Sequence, residues 1–182
     1  MFRSSRASRW ALSLNKGSIR SKYKGGKMMN NIKFGFSWIG LIVFLLPMLI
    51  NIVYVILPPK NAPTTQQETN KILEIIEQST RMLYMLAIVF LVSKEKVDFT
   101  SAWMFIGLIF LILYYMVWFR YFLGGRDVDL LGKKFLFVPM PLAVFPVIYF
   151  IFEAIWLNNY IAVLFMLIFG IAHNIISYNA FS

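Results

Sequence analysis

His173 is the only histidine in this chain, and cysteine is absent. That leaves no thiolate nucleophile, no disulfide and no cysteine or multi-histidine metal centre. What remains is a set of ionisable and amide side chains within or beside long apolar runs: Asn51, Glu77, Arg81, Arg120, Glu153, His173 and Asn174. Polar groups in such runs are costly, and they usually face a bundle interior or a water-filled cavity. Glu74, Glu77, Gln78 and Arg81 fall at i, i+3, i+4 and i+7, one stripe of a helix in which Glu77 and Arg81 have the favourable ion-pair order. The alternative is an interfacial amphipathic turn with those charges among headgroups. A lone imidazole can carry a proton or bridge two helices, and bridging is the expectation. Arg120 is expected to snorkel to the interface, and Glu153, beside Trp156, reads as an interfacial carboxylate. Asp127 and Asp129 could hold a divalent cation, but a calcium loop needs further ligands at set spacing, so a solvated turn is expected. No cofactor is implied.

The elements that must position these groups are five apolar stretches: Phe36–Leu57, Ile72–Val92, Ser101–Phe122, Phe135–Leu157 and Tyr160–Tyr178. Each approaches the roughly 20 residues a membrane-crossing helix needs. The chain is 59% hydrophobic and 14% charged, with a mean hydropathy of +0.69. A soluble domain of 182 residues has too little interior to hide that much apolar surface. The expected fold is therefore all-α, an integral membrane bundle of five transmembrane helices over residues 28–182. Within it, Gly40, Pro47, Asn51 and Tyr54 recur on one helical face that should look inward. Pro47 and Pro146 should bend their helices. The second stretch is the least regular, because its uncharged part, Met82–Val92, is only 11 residues. Leu57-Pro58-Pro59-Lys60 lacks the small-x-small pattern of a cleavage site, so the first stretch should remain as an anchor.

The formal net charge of +10 suggests nucleic acid, but its distribution does not. Eight of the 18 Lys and Arg precede Met28, where there are no acids, leaving ten basic against eight acidic residues beyond. Residues 1–27 are polar, basic and aperiodic, and are expected to be disordered. They read as a cytoplasmic arm near anionic headgroups, as an Arg- and Ser-rich presequence, or as upstream sequence that the native gene does not translate. The third reading is preferred. Lys24-Gly25-Gly26-Lys27 before Met28-Met29 can be encoded by a string containing AAGGAGG, a bacterial ribosome-binding site, just ahead of a start codon.

The start also sets the topology. One membrane face carries the N-terminus, the Ser93–Thr100 loop and the Asn158–Asn159 turn; the second carries Pro58–Lys71, Leu123–Lys134 and the C-terminus. With the tail, Lys and Arg number 11 on the first face against 7 on the second; without it, 3 against 7. A start at Met28 or Met29 puts the second face in the cytoplasm.

Alternating helices also fix depth. At 1.5 Å per residue, Asn51, Arg81, Arg120 and His173 lie within roughly 15 Å of the second face, and the depth of Glu153 differs from that of His173 by roughly 14 Å. The expected site is a polar vestibule at the second face, lined by Asn51, Glu77, Arg81, Arg120, His173 and Asn174, with the Gly124–Gly132 loop at its mouth. Such a vestibule fits a binding, sensing or accessory protein of a bacterial cytoplasmic membrane. The bilayer is one partner, and a second membrane protein or another copy is a further one. A transporter or channel subunit acting as an oligomer is the first alternative, and a membrane-embedded enzyme acting on a lipid the second. The absence of an internal repeat weighs against the first, and the absence of a nucleophile or metal set against the second. The intact mass of protein expressed from its native gene is expected to correspond to a start at Met28 or Met29, and a mass that includes Met1 would overturn that reading.

Overall fold

A computed structural model describes residues 31–61 and 70–181. The basic tail 1–27, the start at Met28 or Met29 and residues 62–69 of the first linker lie outside the described residues. In order, the elements are β1 (Ile32–Phe34), α1 (Trp38–Ile56), α2 (Lys71–Phe90), β2 (Leu91–Ser93), α3 (Ala102–Leu123), α4 (Asp129–Gly132), α5 (Pro141–Trp156) and α6 (Tyr160–Phe181). The fold is mostly helical, with one small addition to the all-α expectation. Strands β1 and β2 pair antiparallel, Ile32 opposite Ser93 and Phe34 opposite Leu91.

Three helices are long and apolar enough to cross a membrane: Trp38–Ile56, Ala102–Leu123 and Tyr160–Ala180. Their outer faces leave large hydrophobic side chains uncovered, such as Ile109, Phe119 and Ile171. Long apolar helices with uncovered apolar flanks mark a membrane-embedded protein. The other two stretches form shorter or more polar helices than expected. The fourth begins at Pro141, not Phe135, because Phe135 to Met140 folds into a tight turn. Leu136 and Phe137 both have left-handed φ there, and Pro139 and Pro141 hold the neighbouring backbone out of a helix. The resulting α5 has 16 residues, about 24 Å at 1.5 Å each. Helix α2 has a suitable length of 20 residues but carries Lys71, Glu74, Glu77 and Arg81 between its start and its middle. Asn70 caps it, accepting from the Ile72 amide.

Hydrogen bonds between elements sort the helix ends into two sets. At one end, the Ser37 amide donates to Val89, the Asn159 side chain donates to the carbonyls of Ala87 and Leu91, and the Trp156 indole donates to Asp98. These contacts gather the start of α1, the end of α2, the segment before α3, the end of α5 and the start of α6. At the other end the Tyr121 hydroxyl donates to Leu57, the Lys60 amide to Arg126 and Asn61 to Asp127. Consecutive long helices therefore run in opposite directions. Helix α2 lies along α6, α5 lies between α3 and α6, and α1 leans on α2, α3 and α5. Gly40 permits the tightest of these approaches, since a β-carbon there would sit 2.0 Å from the Ile88 carbonyl oxygen.

The expected inward face of α1 is present: Gly40 and Pro47 are buried, and Asn51 and Tyr54 are half-buried. Pro47 has no amide hydrogen, so the carbonyl four residues earlier, on Val43, loses its helical partner. The Tyr149 hydroxyl of α5 supplies the replacement at 3.0 Å. A backbone carbonyl buried without a donor costs about 1–3 kcal/mol. Tyr149→Phe should therefore destabilise the fold by about that amount, read as a lower unfolding midpoint in detergent. In a Pro47→Ala background, where the restored amide can bond Val43, the same substitution should cost clearly less. Equal costs in both backgrounds would refute this account of the bond.

Candidate functional site

Helices α1, α2, α3, α5 and α6 enclose a cavity of about 310 Å³. Its polar wall is Asn51 from α1, Arg81 from α2, and His173 and Ser177 from α6. Its apolar wall includes Phe44, Phe150, Met166 and Phe169. The polar groups lie toward the end of the bundle where α1 and α6 finish and α2 begins. Leu131 and Met140, from the chain between α3 and α5, complete the wall at that end.

Behind the polar wall, His173 Nδ1 and Glu77 Oε1 are 2.9 Å apart. This pair joins α2 to α6 across 96 positions of sequence. Glu77 is buried and His173 half-buried. An ionised carboxylate can only accept, so hydrogen-bond logic puts the proton on Nδ1 and leaves Nε2 as the free ring nitrogen. His173 also stacks on Phe169, with ring centroids 4.9 Å apart. The sequence stripe on α2 is thus divided. Glu77 turns inward to His173 rather than pairing with Arg81, while Glu74 and Gln78 stay exposed. The Arg81 guanidinium instead donates to Gln78.

Three residues expected on the vestibule wall do not line the cavity: Glu77 stands behind it, and Arg120 and Asn174 turn elsewhere. Arg120 reaches into the α3–α5 loop, donating to the carbonyls of Leu130, Lys133 and Lys134 and lying over the Phe135 ring. Those carbonyls end the short α4 and the chain after it, where a cation is favoured. Arg120 therefore shapes the loop from below instead of snorkelling freely. The Asn174 side chain folds back along its own helix and donates to Gly170. Glu153 departs further from expectation. It is 1% exposed, not interfacial, and neither carboxyl oxygen has a hydrogen-bond partner. It packs against Gly107, where a β-carbon would come within 2.3 Å of Oε1.

Asp127 belongs to the loop scaffold. It accepts from the Asn61 side chain at 2.7 Å and from the Asp129 amide at 3.0 Å. These bonds hold its carboxyl below the usual carboxylate range, the Asn61 bond contributing most. Among the described residues no group of three His, Cys, Asp or Glu could hold a metal.

Several wall residues were not singled out from sequence. Tyr114 donates to the Asn51 side-chain oxygen at 2.8 Å. Trp118 contributes a buried indole N–H that has no acceptor. The i, i+4, i+7 spacing of Tyr114, Trp118 and Tyr121 was a readable sign of an inward face on α3. The dense aromatic cluster around them resembles an interfacial belt, which obscured it. No protein-family model matches the chain, and neither a curated protein nor a solved structure shows detectable similarity to it.

If the Glu77–His173 bond joins α2 to α6, Glu77→Ala should lower stability by about 1 kcal/mol, because it strands a half-buried donor. Glu77→Gln keeps an acceptor oxygen and should retain at least half of that stability. Thermal unfolding of the two variants side by side checks this, and equal losses would sink the bridging role.

Proposed function

We propose that this protein is a small multi-pass protein of a bacterial cytoplasmic membrane that binds a ligand in the cavity between its helices, as a binding, sensing or accessory protein. The observation carrying the reading is the cavity itself: one end holds Arg81, Asn51 and His173, and the remainder is apolar. Concave, mostly apolar sites with a few convergent polar groups are the usual form of small-molecule sites. The packing supports full embedding of the bundle. Helices α2 and α5 lie against the long apolar helices α6 and α3, so five crossings follow if those helices cross. Of the charges in the first turns of α2, Glu77 is buried inside the bundle, while Lys71 and Glu74 are exposed. On this reading the second face is cytoplasmic.

The Glu77–His173 pair is the one observation that favours the enzyme alternative, since a carboxylate-oriented imidazole can act as a base. Ser177 is the wall hydroxyl closest in sequence to that imidazole, but no hydrogen bond joins the two, and binding asks less of the residues present.

Native mass spectrometry of the full chain, released from membranes in a mild non-ionic detergent, tests the proposal. The expected result is a bound small molecule at one per chain. Ala143→Phe, which fills the cavity from α5, and Ser177→Trp, at its polar end, should both remove it. Identical adducts in the parent and in both folded variants would overturn the proposal.

A further inference from the structure

The polar groups of the cavity are unequal in kind. Among the described residues, Arg81 is the one wall side chain with a permanent charge, and no carboxylate lies on the wall. Glu77, the nearest acid on the same helix, is occupied by His173. Two donors on the wall lack a strong acceptor. The Asn51 amide donates only to the Met48 thioether sulfur at 3.9 Å, a weak acceptor. Arg81 donates to Gln78, a neutral partner at the exposed edge of the helix. A charged oxygen acceptor competes well with a neutral amide for a guanidinium. The cavity therefore presents at one end a guanidinium whose hydrogen-bond partner is neutral, with no carboxylate on the wall facing it.

The rest of the wall is apolar and lies deeper. Phe44 precedes Asn51 by seven residues on α1, and Met166 precedes His173 by seven on α6, so the apolar end lies about 10 Å further in on both helices. At about 310 Å³ the space is at the low end of the roughly 300–1,000 Å³ of ligand pockets, enough for one chain rather than two.

Resting on the binding role proposed above, we infer that the cavity takes a single-chain amphiphile with an anionic, acceptor-rich head, a carboxylate or a phosphate monoester. The head meets Arg81, with its planar fork of donors suited to either group. The Asn51 amide lies on the same wall as a further donor, and the Trp118 ring beside it as an apolar contact. The chain runs inward along Phe44, Phe150 and Met166. His173, held by Glu77, borders the head end without donating to it. Arg81 is a binding residue in this scheme, and Glu77 a positioning one.

The test uses the full chain in phosphatidylcholine nanodiscs. Dibromostearate, an anionic single-chain quencher, is titrated while tryptophan emission is followed, with oleate, oleoyl lysophosphatidate and monoolein as competitors. Saturable quenching is expected that Trp118→Phe removes, because Trp118 is on the wall. Oleate or lysophosphatidate should displace the quencher, and the stronger of the two identifies the head as carboxylate or phosphate. Monoolein, with the same chain and no charge, should compete at least about tenfold less well, given about 1.5–3 kcal/mol for hydrogen bonds to a charged group. Arg81→Gln should weaken the anionic ligands by a similar factor and leave monoolein unaffected. If monoolein competes equally and Arg81→Gln changes nothing, the anionic head is wrong while the cavity remains a ligand site. If quenching never saturates and persists in Trp118→Phe and Ala143→Phe, both the ligand class and the binding role fail.

Discussion

In an apolar surrounding, a backbone carbonyl that loses its helical partner must find another donor, and much of this fold follows from that requirement. Pro47 interrupts the ladder of α1 and exposes the Val43 carbonyl; Tyr149 answers it from α5. Tyr115 donates to Leu46 on the same helix. The carbonyl of Ala87, which also accepts from the Leu91 amide, and that of Leu91 both accept from the side chain of Asn159. These bonds are directional and each joins elements far apart in sequence. They hold α1 against α3 and α5, and α2 against the start of α6. Apolar packing alone would not choose those neighbours, because lipid tails satisfy an apolar side chain as well as another helix does.

The cavity is a consequence of the same arrangement. Helix α1 leans on its neighbours at Gly40 and is tied again through Pro47, with Asn51 and Tyr54 continuing the inward face beyond. At the far end, Arg120 collects three carbonyls of the α3–α5 loop, which fixes Leu131 and Met140 against the space between the helices. Arg120 thus contributes to the site by shaping its rim, without touching its interior. Arg120 stands in the last turn of α3, and the carbonyls it satisfies belong to α4 and the chain that follows it.

How much of this could be read from the residues depends on the residue. Asn51, Arg81 and His173 were legible because polar groups in apolar runs have few tolerable places, and alternating helices put all three at one depth. Glu77 was legible as a member of that set, but not its partner. Local spacing favoured Arg81 four residues on, whereas the structure pairs it with His173, 96 positions away. Arg120 and Asn174 were wrongly grouped with the wall because depth alone says nothing about azimuth around the bundle. Glu153 shows the same gap. Its place near a helix end beside Trp156 suggests an interface, yet the close approach of α3 at Gly107 buries it.

By itself, the sequence determined the apolar medium, the helical elements, the inward face of α1 and the depth of the polar groups. It could do so because periodicity and length are local properties of the chain. Tertiary structure decided which helices touch, which donor answers which carbonyl, where α5 begins and which acid meets His173. Those outcomes depend on rotation and approach of whole helices, set by contacts between residues far apart in the chain. The five apolar stretches supply the walls, and their mutual packing leaves the space among them.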